Sequence, residues 1–264
     1  MRIVRYFGAV MTRPWLPRAV AVAASMLVVG LIGAEARDWY VDGAPPSVAA
    51  SSPPAADPTV LPPPPPFDLS GGKALTVFWV LGFLEEYMGR QATDESAVVE
   101  RLYCNEHGQL ERFRAMLRRL SREQRLPDDL REEIVQECLV FLSSEALARG
   151  LNSIYVSRMR PGMFTIADGR RQEIAVLEVT HAMFERFGND ERIAYLAGAY
   201  FRHERDGAFV LANAAHKADL IAVLLAEIGM TSIERQTYYA IPSTNIVRFA
   251  EPDKLRALFA QVVQ

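Results

Sequence analysis

The sequence lacks the short motifs that would name a reaction. It has no Gly-x-Ser-x-Gly elbow and no His-Glu-x-x-His run, so the nucleophile elbow of the α/β-hydrolases and the zinc protease signature are absent. Gly71-Gly72-Lys73 has neither the spaced first glycine nor the hydroxyl residue after lysine that a phosphate-cradling loop requires. Two cysteines in 264 residues are too few for a disulfide framework. An excess of positive charge is missing too, since the net charge is −3. No run of about 20 apolar residues, the length that spans a bilayer, is present.

Four arginines (Arg2, Arg5, Arg13, Arg18) against the single acid Glu35 make residues 1–36 basic. Without them the chain holds 25 basic and 31 acidic side chains, net −6. So acidic a chain has no general attraction for nucleic acid or anionic lipid, and nucleic acid is excluded as a first expectation.

The basic start leads into residues 19–33, fifteen uncharged and largely apolar positions, followed by Ala34-Glu35-Ala36. This is the order of a bacterial-type secretory signal peptide. Met11 would give the signal a more usual length if it were the true start. On length, cleavage after Ala36 is favoured. Retention as a membrane anchor is the alternative, with inner-membrane association through residues 19–34. Either way the basic residues stay inside, and the rest is expected to be exported, periplasmic or anchored facing the periplasm.

Residues 37–70 read as a proline-rich flexible tether. Ten of the sixteen prolines fall within 44–66, five of them in succession at Pro62–Pro66. No packed core can come from such a segment. As polyproline II it would extend about 3.1 Å per residue, about 70 Å at most.

Residues 71–264 are expected to form one mainly α domain of about seven to eight helices with a small β-hairpin near the C-terminus. Leu75, Phe78, Trp79, Phe83 and Tyr87 predict a helix over 73–89, with Glu85-Glu86 on its wet side. Asp94 is expected to open a second helix through Val98, Leu102 and Cys104. The stripe Leu110, Phe113, Leu117, Leu120 predicts another over 109–122. Pro127-Asp128-Asp129 reads as a helix start, and Leu130, Ile134, Cys138, Phe141 and Leu142 as its buried stripe up to Gly150. Residues 154–156 suit a strand or extended loop. Helices are expected over 170–187, 190–205 and 209–228, with the hairpin over 232–249 and a short helix from Pro252. No repeat appears at solenoid periods.

Within that reading Glu178, His181 and Glu185 fall three and four residues apart, on one side of a helix. An imidazole between two carboxylates can transfer protons or bind metal, but a core histidine held by a neighbour explains the pattern as well. A di-metal bundle would need Glu-x-x-His twice, and it occurs once here, so no metal or cofactor is assigned. His203 and His216 on neighbouring helices could converge with His181. Cys104 and Cys138 form an even pair that an exported chain can bridge. Such a bridge would close roughly 35 residues and add about 3–4 kcal/mol. Arg114, Arg118, Arg122 and Arg125 form a basic ridge opposite the leucine stripe, suited to an acidic partner, although such ridges are commonly only solvated.

By elimination the leading expectation is a non-enzymatic envelope module that binds a protein partner, as an immunity protein, inhibitor or assembly factor does. An envelope hydrolase or metal-assisted enzyme using His181 with Glu178 or Glu185 is the rival. A structural spacer protein is the third reading.

Overall fold

The structure, a computed structural model, describes residues 67–85, 97–135, 139–165, 171–239 and 242–262. The expected export segment, most of the tether and Cys138 lie outside them. Among the described residues the architecture is mixed α/β, with seven helices and nine strands in three antiparallel sheets. The mainly helical expectation is therefore corrected.

Helix α1 (Gly72–Phe83) is buried almost all round, from Thr76 to Phe83 without a break, as suits a helix that is apolar on every side. After it come β1 (Val98–Leu102) and α2 (His107–Glu123), then β2 (Arg131–Val135), β3 (Leu139–Ser143) and α3 (Glu145–Asn152). Strands β4 (Val156–Thr165) and β5 (Arg171–Glu178) form a separate long hairpin, followed by the short α4 (His181–Phe184). A second buried helix, α5 (Asn189–His203), leads into β6 (Glu204–Arg205), β7 (Ala208–Ala212) and α6 (Ala215–Glu227). The pair β8 (Glu234–Tyr238) and β9 (Thr244–Arg248) and the final helix α7 (Pro252–Val262) complete the chain.

Four segments expected as helix contain strand, one of them 209–228, which begins as β7 and becomes helical only from Ala215. The helix from Asp94 is replaced by β1 over 98–102, and the one opened by Pro127 by β2 and β3, with only its end helical as α3. The helix over 170–187 is replaced by β5 and the four-residue α4. The apolar spacing is ambiguous in each case. Leu130, Ile134, Cys138 and Phe141 fit a helical stripe, yet Val140 and Leu142 also alternate with Leu139 and Phe141, and the structure buries the first pair more fully. Short β-branched runs follow the pairing available to them, and here β3 is the central strand between β1 and β2. The expected C-terminal hairpin exists as β8–β9, but it belongs to a four-stranded sheet.

The chain contains two copies of one arrangement. A buried helix, a strand, a helix, a hairpin and a helix follow each other as α1, β1, α2, β2–β3, α3 and again as α5, β7, α6, β8–β9, α7. The sheets match, with orders β1-β3-β2 and β7-β9-β8, the second extended by β6. The contact between α1 and α5 has the same symmetry. A Cβ on Gly82 would lie 1.9 Å from the Tyr195 carbonyl oxygen, and one on Gly198 would lie 1.9 Å from that of Trp79. Each glycine thus receives the carbonyl three residues before the other, so the two backbones touch where a methyl group has no room.

Around this contact the aromatic core assembles. Phe83 stacks on Phe113 with ring centroids 3.9 Å apart, and Phe184 meets Tyr195 edge-on at 5.4 Å. Among the described residues no helix is long and apolar enough to cross a membrane. Cys104 is disulfide-bonded.

Gly82→Ala and Gly198→Ala are each expected to destabilise the fold by about 3 kcal/mol or more, because backbone rather than a yielding side chain blocks the added methyl. Gly108→Ala, at a glycine with open space around it, is expected to stay within about 1 kcal/mol. Urea unfolding of the three variants checks this ordering.

Candidate functional site

Because α1 and α5 cross at their glycines, their C-terminal carbonyls end in one region, where two partial negative charges meet. Side chains donate hydrogen bonds to both ends. Lys217 is fully buried, and its Nζ donates to the carbonyls of Gly82 at 2.7 Å and Leu84 at 2.5 Å. At the corresponding place in the other half, Gln109 Nε2 donates to the carbonyls of Phe201 at 3.1 Å and Arg202 at 3.2 Å. Lys217 and Gln109 are the third residues of α6 and α2, so this capping also follows the duplication.

Arg202 is the centre of the region, 1% exposed. Its guanidinium reaches Glu106 at 2.8 Å, Glu100 at 2.9 Å and Glu85 at 3.4 Å, and donates to the carbonyls of Phe83 at 3.2 Å and Arg101 at 2.9 Å. Glu100 also accepts from the backbone N–H groups of Glu85 at 2.5 Å and Arg101 at 2.7 Å. Burial alone would expel the Arg202 charge, but Glu100, Glu106 and Glu85 outweigh it and raise the pKa further above its usual range. Burial pushes the Glu85 carboxyl up to about 7, against the pull of Arg202 and with repulsion from Glu100 and Glu106. Beside them, burial together with Lys217 and Arg202 holds His203 well below the usual imidazole value. The helical period places Glu85 on a wet face, and nothing in the sequence gathers the other members of this cluster around it. The cluster's one local signal is Lys217 within the apolar run of α6.

His181, Glu178 and Glu185 are not on one helix. Glu178 ends β5 and is buried, His181 begins α4, and Glu185 is exposed just beyond it. The partner of His181 is Glu227 of α6, Nε2 to Oε1 at 2.6 Å. Arg192 holds the other oxygen of Glu227 at 2.7 Å and donates to the carbonyls of Phe184, Phe187 and Gly188. The hydrogen bonds from Arg192 and His181 overcome the upward effect of burial and keep Glu227 below the usual carboxylate value. This network ties α4, α5 and α6 together. Next to it lies a groove of about 520 Å³ whose lining includes Arg158, Glu178, Thr180, His181, His216 and Asp219. The structure therefore brings His181, Glu178 and His216 together, and leaves Glu185 and His203 out. Among the described residues no group of three or more His, Cys, Asp or Glu side chains is placed to hold a metal ion.

The ridge on α2 divides into two parts. Arg114 is half-buried and paired, with Glu111 on its own helix and with Glu132 of β2 at 2.6 Å. Arg118, Arg122 and Arg125 are exposed, with no ion pair to a described residue. Arg125 has φ of 55°, the left-handed conformation that ends a helix, in a turn closed by Leu126 N–H to the Ser121 carbonyl at 2.8 Å. Glycine is the residue that adopts this conformation without cost.

Ser70 and Lys73, three residues apart at the start of α1, both bond to Asp68 at 2.6 Å. In this exposed turn Lys73 and Ser70 hold the Asp68 carboxyl well below the usual range, and the lysine is engaged as a cation.

No family model and no curated protein matches the chain. Among solved structures, mesophilic variants of the homing endonuclease I-DmoI resemble it with a TM-score of 0.46 and 10% identity, over 73% of this chain and 97% of that one. A likeness of that size assigns neither fold family nor activity.

The Glu85 carboxyl gives a pH test with a definite sign. In the fold it keeps its proton up to about 7, whereas the unfolded chain releases it near the ordinary value of 4.5. Between those limits the native state binds more protons, so this contribution to stability is full below about pH 4.5 and lost as pH rises through 7. His203 acts oppositely, favouring the fold above the ordinary imidazole pKa. Subtracting Glu85→Gln isolates the first effect. The stability of wild type relative to this variant is expected to rise between about pH 8 and about pH 5.5, by urea unfolding at each pH. A flat difference would contradict it.

Proposed function

We propose that this chain is a non-enzymatic binding module of the cell envelope, and that the exposed arginine face of α2 receives an acidic surface of a protein partner. The observation that carries this reading is the state of Arg118, Arg122 and Arg125. Arg118 and Arg122 project from a helix whose other side is held in the core by Phe113, Leu117 and Leu120, and Arg125 is exposed in the turn that follows its end. Internal carboxylates answer Arg114 and Arg119 but not these three. Exposed guanidiniums keep their forked N–H edges for a carboxylate of another molecule, and such charges act mainly on association rate and partner choice.

Arg125 adds a second argument. Holding a side-chain-bearing residue in the left-handed conformation costs about 1–2 kcal/mol relative to glycine. A surface site serving only the helix end would be better filled by glycine. An envelope location rests on the order of residues 1–36.

The rival reading, an envelope hydrolase, rests on the groove that joins His181 and Glu178. Its imidazole, however, is occupied by the Glu227–Arg192 network.

The test is capture of partners by the tagged full-length chain from an envelope fraction, wild type against the double substitution Arg118→Glu/Arg122→Glu. A stoichiometric acidic protein held by wild type, released by moderate salt and lost in the double variant is expected, with circular dichroism unchanged. Arg125→Gly is expected to raise thermal stability by up to about 1 kcal/mol while weakening capture. Capture that survives charge reversal would overturn the assignment of the face. Retention on a duplex oligonucleotide in preference to any acidic protein would overturn the partner class.

A further inference from the structure

We infer that the cleft between α2 and α7, floored by α1 and α5, binds a small ligand that joins a flat aromatic ring system to one anionic group. The cleft encloses about 340 Å³, near the lower end for ligand sites, and is lined by Trp79, Tyr200, Phe201 and Phe259 with Arg112 and Arg256 at its sides. Its floor is rigid. Trp79 is 1% exposed, stacked on Phe83 with ring centroids 5.6 Å apart and tilted against Phe201 at 5.8 Å. Tyr200 and Phe259 form a wall, their rings 5.5 Å apart. A planar apolar body suits these surfaces, because aromatic rings prefer offset or tilted contact with one another.

The charge of the ligand follows from the two arginines. Arg112 lies over the Phe201 ring, 4.7 Å from its centroid, and no carboxylate among the described residues pairs with it. A guanidinium stacked in this way leaves its in-plane N–H edge for a carboxylate, sulfonate or phosphate ester. Arg256 is held by the Tyr200 hydroxyl at 2.9 Å and by Asp253 at 2.5 Å. Asp253 offsets one of the two positive charges, leaving a single positive charge to be matched by a monoanion. The site is separate from the arginine face of α2. Arg112 lines the cleft, and Arg118, Arg122 and Arg125 do not.

The experiment is fluorescence titration of the full-length chain with anilinonaphthalene sulfonate, an aromatic monoanion, beside phenylnaphthylamine, which has the same rings without the sulfonate. A saturable sulfonate-binding component is expected, weakened about tenfold or more by Arg112→Gln and removed by Ala260→Trp, which fills the cleft from its exposed rim. Phenylnaphthylamine binding is expected to change less than about twofold in Arg112→Gln. Arg112 is exposed and outside the core, so this variant keeps the test valid even if Ala260→Trp disturbs the packing of α7. Absence of a saturable component, equal binding by wild type and Arg112→Gln, or equal losses for the two probes would each overturn the inference.

Discussion

Everything described depends on the backbone contact between α1 and α5. Two helices can come this close only where both lack a side chain at the crossing, and Gly82 and Gly198 meet that requirement reciprocally. The contact fixes how the two halves face each other and places both sheets. It also creates an electrostatic problem, since two helix C-termini are forced into one buried region. Lys217, Gln109 and Arg202 are the answer, each donating to carbonyls that have no helical partner. Arg202 in turn needs compensation because it is buried, and Glu85, Glu100 and Glu106 supply it. One steric constraint thus generates a chain of charged groups through the centre of the fold.

That chain explains why the most perturbed titrating groups need no catalytic role. Three carboxylates near one guanidinium cannot all be well solvated, and Glu85, on the outer side, carries the imbalance as a raised pKa. The surface features have a different origin. Arg118, Arg122 and Arg125 face away from the core, and nothing in the packing of α2 requires their charge. The distinction separates groups that the architecture demands from groups left for a partner.

The sequence showed some of this and concealed the rest for physical reasons. Amphipathic stripes located α2 and α5 within a few residues, and the arginine ridge was visible because exposed faces are what a helical period reveals. Strands β1, β2, β3, β5 and β7 were hidden, because short apolar runs such as Leu139–Leu142 satisfy both periods and only pairing decides between them. Because 171–178 is strand, Glu178 and His181 are neighbours across a strand end rather than along a helix. The duplication was hidden because it lives in topology and in two glycines. Glu85, Glu100, Glu106 and Arg202 were hidden because charged residues at scattered positions read as solvated until the fold collects them. Glu132, which neutralises Arg114, comes from β2 and was invisible for the same reason.

The central claim is that Arg202 holds the joined helix ends together by balancing three carboxylates and two carbonyls. Urea unfolding of Arg202→Met tests it most directly, with Arg202→Met/Glu106→Gln as the companion. Removing a fully buried cation from partners that stay buried is expected to cost about 3–5 kcal/mol, and neutralising Glu106 as well should recover part of that loss. A loss below about 1 kcal/mol, or a double variant less stable than the single one, would contradict the account.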